Sequence, residues 1–210
     1  MVTALGRDID KRMGEESGAD GYITKPFTSE TLVGEVEAAL EESRSNAFCS
    51  ALLLTHEQLR GRKILLEYDP VTPYETCIRD FCFEAKGQGE AMVVVTPKAG
   101  PVTRVLEGAD DIELIPMRDD LVLYPLLEEY SEGPLSFVYD SISDYIFSRG
   151  FNAAYGYTKN LLERIDERRI TGLFLLNPEA HDTREVSAIR SLFSNQITFS
   201  GIGLEIQRIV

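Results

Sequence analysis

Strand-like and helix-like segments alternate along residues 62–210 of this 210-residue chain. The alternation predicts an α/β fold with a mainly parallel sheet, because the helices that connect parallel strands cover both of its faces. Gly201 separates the last two strand patterns and predicts an antiparallel hairpin at the edge of the sheet. The predicted strands are 63–67, 91–95, 112–115, 135–139, 171–176, 197–199 and 202–209, and the predicted helices are 74–86, 101–107, 121–130, 153–168 and 182–193.

Composition and charge limit the function classes. The chain is 43% apolar and 27% charged, which is typical of globular proteins. It contains no apolar run of about 18 residues and no signal-peptide pattern, so we expect a cytoplasmic protein without a membrane partner. The formal net charge is −14, which opposes binding to phosphate backbones. We therefore expect no nucleic-acid partner.

The cysteines and histidines give no metal-binding pattern. Cys49, Cys77 and Cys82 form no CxxC pair, and reduced thiols in a protein core explain them. His56 and His181 are the only histidines in the chain. We therefore expect neither a metal site nor a cofactor.

An acidic residue ends the apolar strand pattern in Leu135–Phe147. The strand stops at Asp140, and Ser141 and Ser143 follow. A carboxylate in this position lies at the carboxyl edge of a parallel sheet, where open α/β folds bind ligands, and it can coordinate Mg²⁺. The alternative is an acidic turn after a buried strand.

Residues 1–43 contain the sequence GADGYITKPF. It resembles the second half of a response-regulator receiver domain, a flavodoxin-like fold, from the fourth strand to the fifth helix. The resemblance implies that Thr3 is the switch hydroxyl, Tyr22 the switch aromatic residue and Lys25 the lysine that contacts the acyl phosphate. It also implies a cis bond between Lys25 and Pro26.

The first three strands of a receiver, which carry its Mg²⁺-binding and phospho-accepting acids, have no counterpart in residues 1–43. Either the coding sequence begins late or the front half has been lost, and we expect no phosphoryl transfer. Half a receiver cannot bury its own apolar residues. These include a predicted helical stripe of Leu32, Val36 and Leu40, which follows an N-cap at Thr28. We expect a homodimer through this region; the alternative is packing onto residues 62–210.

Residues 44–61 form a predicted connector. The pattern favours one helix over 47–60, with Phe48, Leu52 and Leu59 on its apolar face and Gly61 at its end. A helix with such a face must pack, and we expect it to pack within the same chain.

Three segments of residues 62–210 carry a second resemblance. They are KILLEYDPVTPYETCIRDFCFEAKGQGE, VYDSIS and GLFLLNPEAHD. In this order they resemble the RecA superfamily, and within it the KaiC-like ATPases. The resemblance implies that Asp140 is the Mg²⁺-coordinating Walker B acid and that Asn177 stands at a γ-phosphate sensor. The structural alternative is that Asp140 caps a helix and Asn177 forms a turn before Pro178.

The segment in the place of the phosphate-binding loop has lost the residues that such a loop needs. Glycines let successive backbone N–H groups surround phosphates, a lysine reaches the β- and γ-phosphates, and a hydroxyl contacts Mg²⁺. By the resemblance, Tyr74 replaces the lysine and Glu75 the hydroxyl. The degenerate loop consists of Tyr68, Asp69, Pro70, Val71, Thr72, Pro73, Tyr74 and Glu75. Residues 96–99 also replace the acidic pair that activates water in the family, so we expect no ATP hydrolysis.

These observations predict a non-catalytic signal-transduction module that acts through a protein partner, a partial receiver joined to a pseudo-ATPase. Similar fusions occur in archaeal signalling proteins. The alternative is a regulatory domain that binds ATP without hydrolysing it, through Asp140, Asn177 and either Lys98 or Arg104. A third hypothesis, a recombinase-like DNA-binding accessory, is disfavoured by the negative charge.

Overall fold

The computed structural model describes residues 2–3, 23–34, 36, 47–109, 111–118, 123–130, 133–166 and 170–210. The chain divides into two compact units, Met1–Ser45 and Asn46–Val210.

The first unit contains two short parallel strands. Strand β1 (Val2–Thr3) pairs with β2 (Ile23–Thr24), and the Lys25–Pro26 bond that follows is cis, as the receiver resemblance implied. Helical residues 29–34 come next, and the Thr28 hydroxyl accepts a hydrogen bond from the backbone N–H of Thr31. Tyr22 and the side chain of Thr3 lie outside the described residues.

Two residues of the apolar stripe predicted for this helix lie in the described part of the chain. Leu32 is half-buried and Val36 is 48% exposed, whereas Leu40 lies outside the described residues. The described part of the stripe is therefore not fully covered within its own unit, and the expected dimer stays a prediction.

The second unit is built on a seven-stranded sheet with the order β5-β4-β6-β7-β3-β8-β9. All neighbouring pairs are parallel except β8 and β9, which form the antiparallel hairpin. This confirms the predicted α/β fold with its mainly parallel sheet. The strands are β3 (Lys63–Tyr68), β4 (Ala91–Thr96), β5 (Ile112–Pro116), β6 (Leu135–Tyr139), β7 (Ile170–Leu176), β8 (Asn195–Ser200) and β9 (Gly203–Arg208).

Helices cover both faces of this sheet, and alternate strand residues supply the two cores. Ile64 and Leu66 of β3 belong to one apolar cluster, whereas Leu65 belongs to the other. Helices α1 to α4 pack on the first face and α5 to α8 on the second. They are α1 (Ala47–Ala51), α2 (His56–Leu59), α3 (Tyr74–Gly87), α4 (Pro101–Leu106), α5 (Leu123–Glu128), α6 (Ile142–Arg149), α7 (Phe151–Asp166) and α8 (Thr183–Ser191).

The connector differs from the single helix predicted over 47–60. It consists of α1 and α2, separated by a turn in which Leu53 has a φ of 55°. Thr55 starts α2 because its backbone N–H donates to Gln58 Oε1, as in a capping box. Phe48 and Leu59 are buried in the core of the second unit. The connector therefore packs within the chain, as expected, but as part of the α/β unit.

Helix α6 was not predicted from the sequence as a separate element. It begins at Ile142 and ends at Arg149, before Gly150, whose φ of 81° favours glycine. Its short length and the glycine-terminated break before α7 hide a separate helix from a periodicity search.

Gly172 lets β7 pass close to the aromatic core. A Cβ atom at this position would lie 2.7 Å from Cε1 of Phe137 on the neighbouring strand. Phe137 in turn packs edge-to-face on Phe174, with ring centroids 5.2 Å apart. A glycine is needed here for space rather than for backbone conformation.

Candidate functional site

The carboxyl ends of four adjacent strands bring the sequence-predicted residues of the second unit to one edge of the sheet. In spatial order β4, β6, β7 and β3 end at Thr96, Tyr139, Leu176 and Tyr68. Asp140, Asn177 and the loop 68–75 follow directly after the last three of these strands. This edge is where open α/β sheets bind ligands.

The loop 69–74 uses its backbone N–H groups within the protein. Pro70 and Pro73 have none to offer. The other four N–H groups donate to protein oxygens: Asp69 to Phe199 O at 3.2 Å, Val71 to Asp69 Oδ1 at 3.0 Å, Thr72 to Asp69 O at 3.0 Å, and Tyr74 to Thr72 O at 2.9 Å. A phosphate-binding loop works in the opposite way, because its N–H groups point into the anion site.

Two tyrosine rings fill the space beside this loop. Tyr68 and Tyr74 stack with centroids 4.1 Å apart and are only 8% and 7% exposed. Burial raises the pKa of Tyr68 to about 12 and raises the pKa of Tyr74 as well. Both phenols are therefore neutral at physiological pH, and Tyr74 brings no positive charge to the position of the missing lysine.

Asp140 is a buried acid at the centre of this edge. It is 2% exposed, and its Oδ2 accepts a hydrogen bond from Thr96 Oγ1 at 2.8 Å. Burial raises its pKa to about 7; the hydroxyl of Thr96 opposes the rise, and the charge of Asp144 adds to it. Near physiological pH, Asp140 is therefore present in both its neutral and its charged form.

Ser141, not Asp140, caps the helix that follows. Ser141 Oγ accepts a hydrogen bond from the backbone N–H of Asp144 at 3.2 Å and donates to its carboxylate at 2.6 Å. The alternative in which Asp140 is a helix cap is therefore wrong. The peptide bond between Asp140 and Ser141 is cis.

Asn177 forms a turn, as its structural alternative predicted. Its Oδ1 accepts from the backbone N–H of Glu179 at 3.1 Å and caps a short 3₁₀ helix, Pro178–Ala180. Its own backbone N–H donates to Ser143 Oγ at 3.0 Å. The side chain of Asn177 is thus already engaged in the local turn.

His181 joins this edge without having been predicted from the sequence. Its Nε2 lies 2.9 Å from Ser143 Oγ, and burial lowers its pKa. A neutral imidazole can accept a hydrogen bond from the Ser143 hydroxyl at Nε2, while its Nδ1 lies 3.8 Å from Glu185 Oε2. Sequence patterns could not indicate this contact, because it joins the start of α6 to the segment that follows β7, 38 residues further along.

A second cluster of polar residues is buried away from this edge, between the connector and α3. His56 Nδ1 lies 3.0 Å from Glu84 Oε1, and His56 Nε2 lies 2.9 Å from Glu90 Oε1. Arg60 Nε donates to Glu90 at 2.8 Å, and the Ser136 hydroxyl donates to the other oxygen of Glu90. We call these five residues the His56 network.

The His56 network holds its histidine and its two glutamates in their charged forms. The hydrogen bonds that the His56 ring donates to Glu84 and Glu90 raise the pKa of His56 to about 9, against the opposing effect of burial. The pKa of Glu90 falls to about 2, because hydrogen bonds from His56, Ser136 and Arg60 together outweigh its burial. The sequence signal for the network is Glu84, a charged residue in helical register with the buried Cys77 and Phe81.

Comparisons with known proteins support two distinct likenesses. No protein-family model matches the chain. The sensory transduction protein RegX3 of Mycolicibacterium smegmatis is 44% identical over 46 residues, which are 22% of this chain and 20% of that protein. The matched part is a short N-terminal stretch, and the chain spans about a fifth of the length of this curated relative.

Two solved structures resemble the larger part of the chain. The KaiC-like protein PH0186 of Pyrococcus horikoshii OT3 has a TM-score of 0.55 and 16% identity, over 71% of this chain and 80% of that one. The protein PH0250 of the same organism has a TM-score of 0.54 and 11% identity, over 72% and 88%. At these identities the likeness shows the fold alone, a mostly parallel α/β fold similar to that of a KaiC-like RecA-type domain.

No helix in the described ranges has both the length and the apolar character to cross a membrane.

Proposed function

We propose that this chain is a non-catalytic signalling module, in which a partial receiver is joined to a KaiC-like domain that has lost nucleotide hydrolysis. The observation that carries the proposal is the hydrogen bonding of the loop 69–74. Every N–H group that this loop possesses is bonded to a protein oxygen. An anion entering here would have to break these bonds before it gained any of its own.

The second support is the absence of positive charge where a triphosphate would need it. Tyr74 stands at the lysine position as a buried neutral phenol, and Asp69 and Glu75 are acidic. On the neighbouring strand, Thr96 stands in place of the water-activating acids and uses its hydroxyl to hold Asp140. The folded domain that remains can act in a signalling pathway through contacts with other proteins.

One observation favours a second candidate, a regulatory domain that binds a nucleotide without hydrolysing it. Asp140 is a buried carboxyl with a raised pKa at the ligand-binding edge of the sheet. Such groups concentrate at functional sites. Lys98 is exposed and follows β4, which ends at the same edge of the sheet.

The two candidates differ in their response to Mg-ATP. We expect no change in the melting temperature and no release of phosphate, because the loop presents no anion site. A ligand at about 100 times its Kd would add about 2.7 kcal/mol to the stability of the folded state, so binding would be readily detected. If Mg-ATP raises the melting temperature of the wild type but not that of Lys98→Ala, this result contradicts our proposal and supports the second candidate. Phosphate release that disappears in Asp140→Ala would contradict both.

The proposal includes self-association through the first unit. Val33 and Val36 are 54% and 48% exposed on its helix, which leaves apolar surface for a second copy to cover. We expect a dimer by light scattering, converted to a monomer by Val33→Asp combined with Val36→Asp. Val71→Asp, at an 88% exposed position of the second unit, is the matched control and should leave the dimer intact. A monomeric wild type would refute this part of the proposal.

A further inference from the structure

Three side chains with different metal-binding atoms meet beside the His56 network. Cys49 comes from α1, His56 from α2 and Glu84 from α3, and one ligand atom from each lies within 4.8 Å of the others. The three residues are 2%, 7% and 1% exposed. We propose that Cys49 Sγ, His56 Nδ1 and the Glu84 carboxylate bind a zinc-class divalent transition-metal ion.

The set of donors selects the class of metal. Thiolate, imidazole and carboxylate are the ligands of zinc in proteins, and three protein ligands leave one coordination position for water. Magnesium and calcium prefer sites made of oxygen atoms, so the cysteine argues against them. This assignment replaces the expectation, drawn from the small number of histidines, that the chain has no metal site.

The residues that contact these donors are already arranged like the supporting residues around protein-bound metals. A metal-binding histidine commonly donates its other ring N–H to a carboxylate, which fixes the orientation of the ring. Glu90 accepts from His56 Nε2 at 2.9 Å, and Arg60 and Ser136 hold Glu90 in place. Glu84 is oriented as well, because its Oε2 accepts the backbone N–H of Cys49 at 3.0 Å.

Metal binding preserves the charge balance of this buried region. Cys49 loses its thiol proton and His56 loses the proton on Nδ1, while the divalent ion enters with its own double charge. The protons leave to solvent and no group is oxidised or reduced. The net charge of the buried groups is therefore unchanged, which avoids the cost of adding an uncompensated charge to an apolar interior.

The break in the connector is what makes the site possible. The turn at residues 52–55, with Leu53 at a positive φ, separates α1 from α2, so that Cys49 and His56 both reach Glu84. The ion would tie the connector to α3. This tie does not depend on whether a nucleotide binds at the carboxyl edge of the sheet.

Cobalt(II) provides a direct probe of the proposed site, because a cobalt–thiolate bond gives a charge-transfer absorption. Full-length protein is treated with a chelator, freed of it, and titrated with Co²⁺ and then with Zn²⁺. We expect the charge-transfer band at one Co²⁺ per chain, its loss when Zn²⁺ displaces the cobalt, and release of protons on metal binding. Glu90→Gln should weaken Zn²⁺ binding about 10- to 100-fold, as loss of such a supporting carboxylate does elsewhere.

Cysteine variants decide which thiol is involved. Cys49→Ala should abolish the band, whereas Cys82→Ala, a matched change at another buried cysteine on α3, should retain it. If Cys49→Ala does not fold, Cys49→Ser keeps the side-chain size and removes the thiolate. A wild type without the band, or a band that persists without the Cys49 thiol, would overturn the proposal.

Discussion

We expect replacement of His56 by alanine to lower the free energy of unfolding of the metal-free protein by about 3–5 kcal/mol, the range for breaking a buried ion pair. The imidazolium lies between Glu84 and Glu90, at 3.0 and 2.9 Å, and both carboxylates are buried. Without His56, Glu84 loses the cation that its carboxylate contacts, and Glu90 keeps only Arg60 and Ser136. Urea unfolding at neutral pH measures the change.

An exposed ion pair supplies the control for this prediction. Lys159 and Glu163 lie 3.8 Å apart on α7, with side chains 53% and 63% exposed. Because solvent screens such pairs, Lys159→Ala should change the stability by no more than about 0.5 kcal/mol. A His56→Ala loss as small as that of Lys159→Ala would mean that the His56 network does not stabilise the fold.

We expect Asp140→Asn to stabilise the protein at pH 8 by roughly 2–4 kcal/mol, an increase that disappears near pH 4. The pKa of Asp140 is about 7 in the folded chain against an ordinary value of 3.8, so the folded state holds the proton more tightly. Its contribution to stability is therefore fully present below pH 3.8 and is lost as the pH rises through 7. Asparagine stays neutral, and its side-chain oxygen can still accept the hydroxyl of Thr96.

Parallel urea unfolding of wild type and Asp140→Asn at pH 4, 6 and 8 tests this prediction. Asp144→Asn is a suitable comparison, because Asp144 is exposed and contributes only the smaller electrostatic part of the shift. We expect Asp144→Asn to change the pH dependence much less than Asp140→Asn. If Asp140→Asn is equally destabilised at all three pH values, the Asp140 carboxyl is needed for packing, and burial of its charged form does not destabilise the wild type.

Local sequence patterns determined most of the second unit. The apolar segment Leu135–Tyr139 ends at Gly133-Pro134 on one side and Asp140 on the other, and it forms β6 with the predicted bounds. The turn predicted at Gly201 gave the correct position of the final hairpin. These predictions succeeded because strand periodicity and turn chemistry act between residues that are close in the chain.

Local patterns were less informative where competing signals stand side by side. The apolar residues of the connector favoured one continuous helix, whereas Thr55 and Gln58 start a new one at α2. The pattern of helix α6 was similarly hidden, because this helix is short and Gly150 separates it from α7. In both cases a capping residue, Thr55 or Ser141, fixed the boundary that apolar spacing alone did not reveal.

The sequence by itself determined that Asp140 and the loop 68–75 lie at one edge of a parallel sheet, because the strand that precedes each ends there. Only the tertiary structure decided what these residues contact: the hydroxyl of Thr96 on Asp140, and the stacked ring of Tyr74 on Tyr68. The meeting of His56 with Glu84 and Glu90, 28 and 34 residues further along, likewise depends on how α2 packs against α3 and the turn before β4. Side-chain contacts between distant segments are set by the packing of whole elements, and no local period in the sequence encodes them.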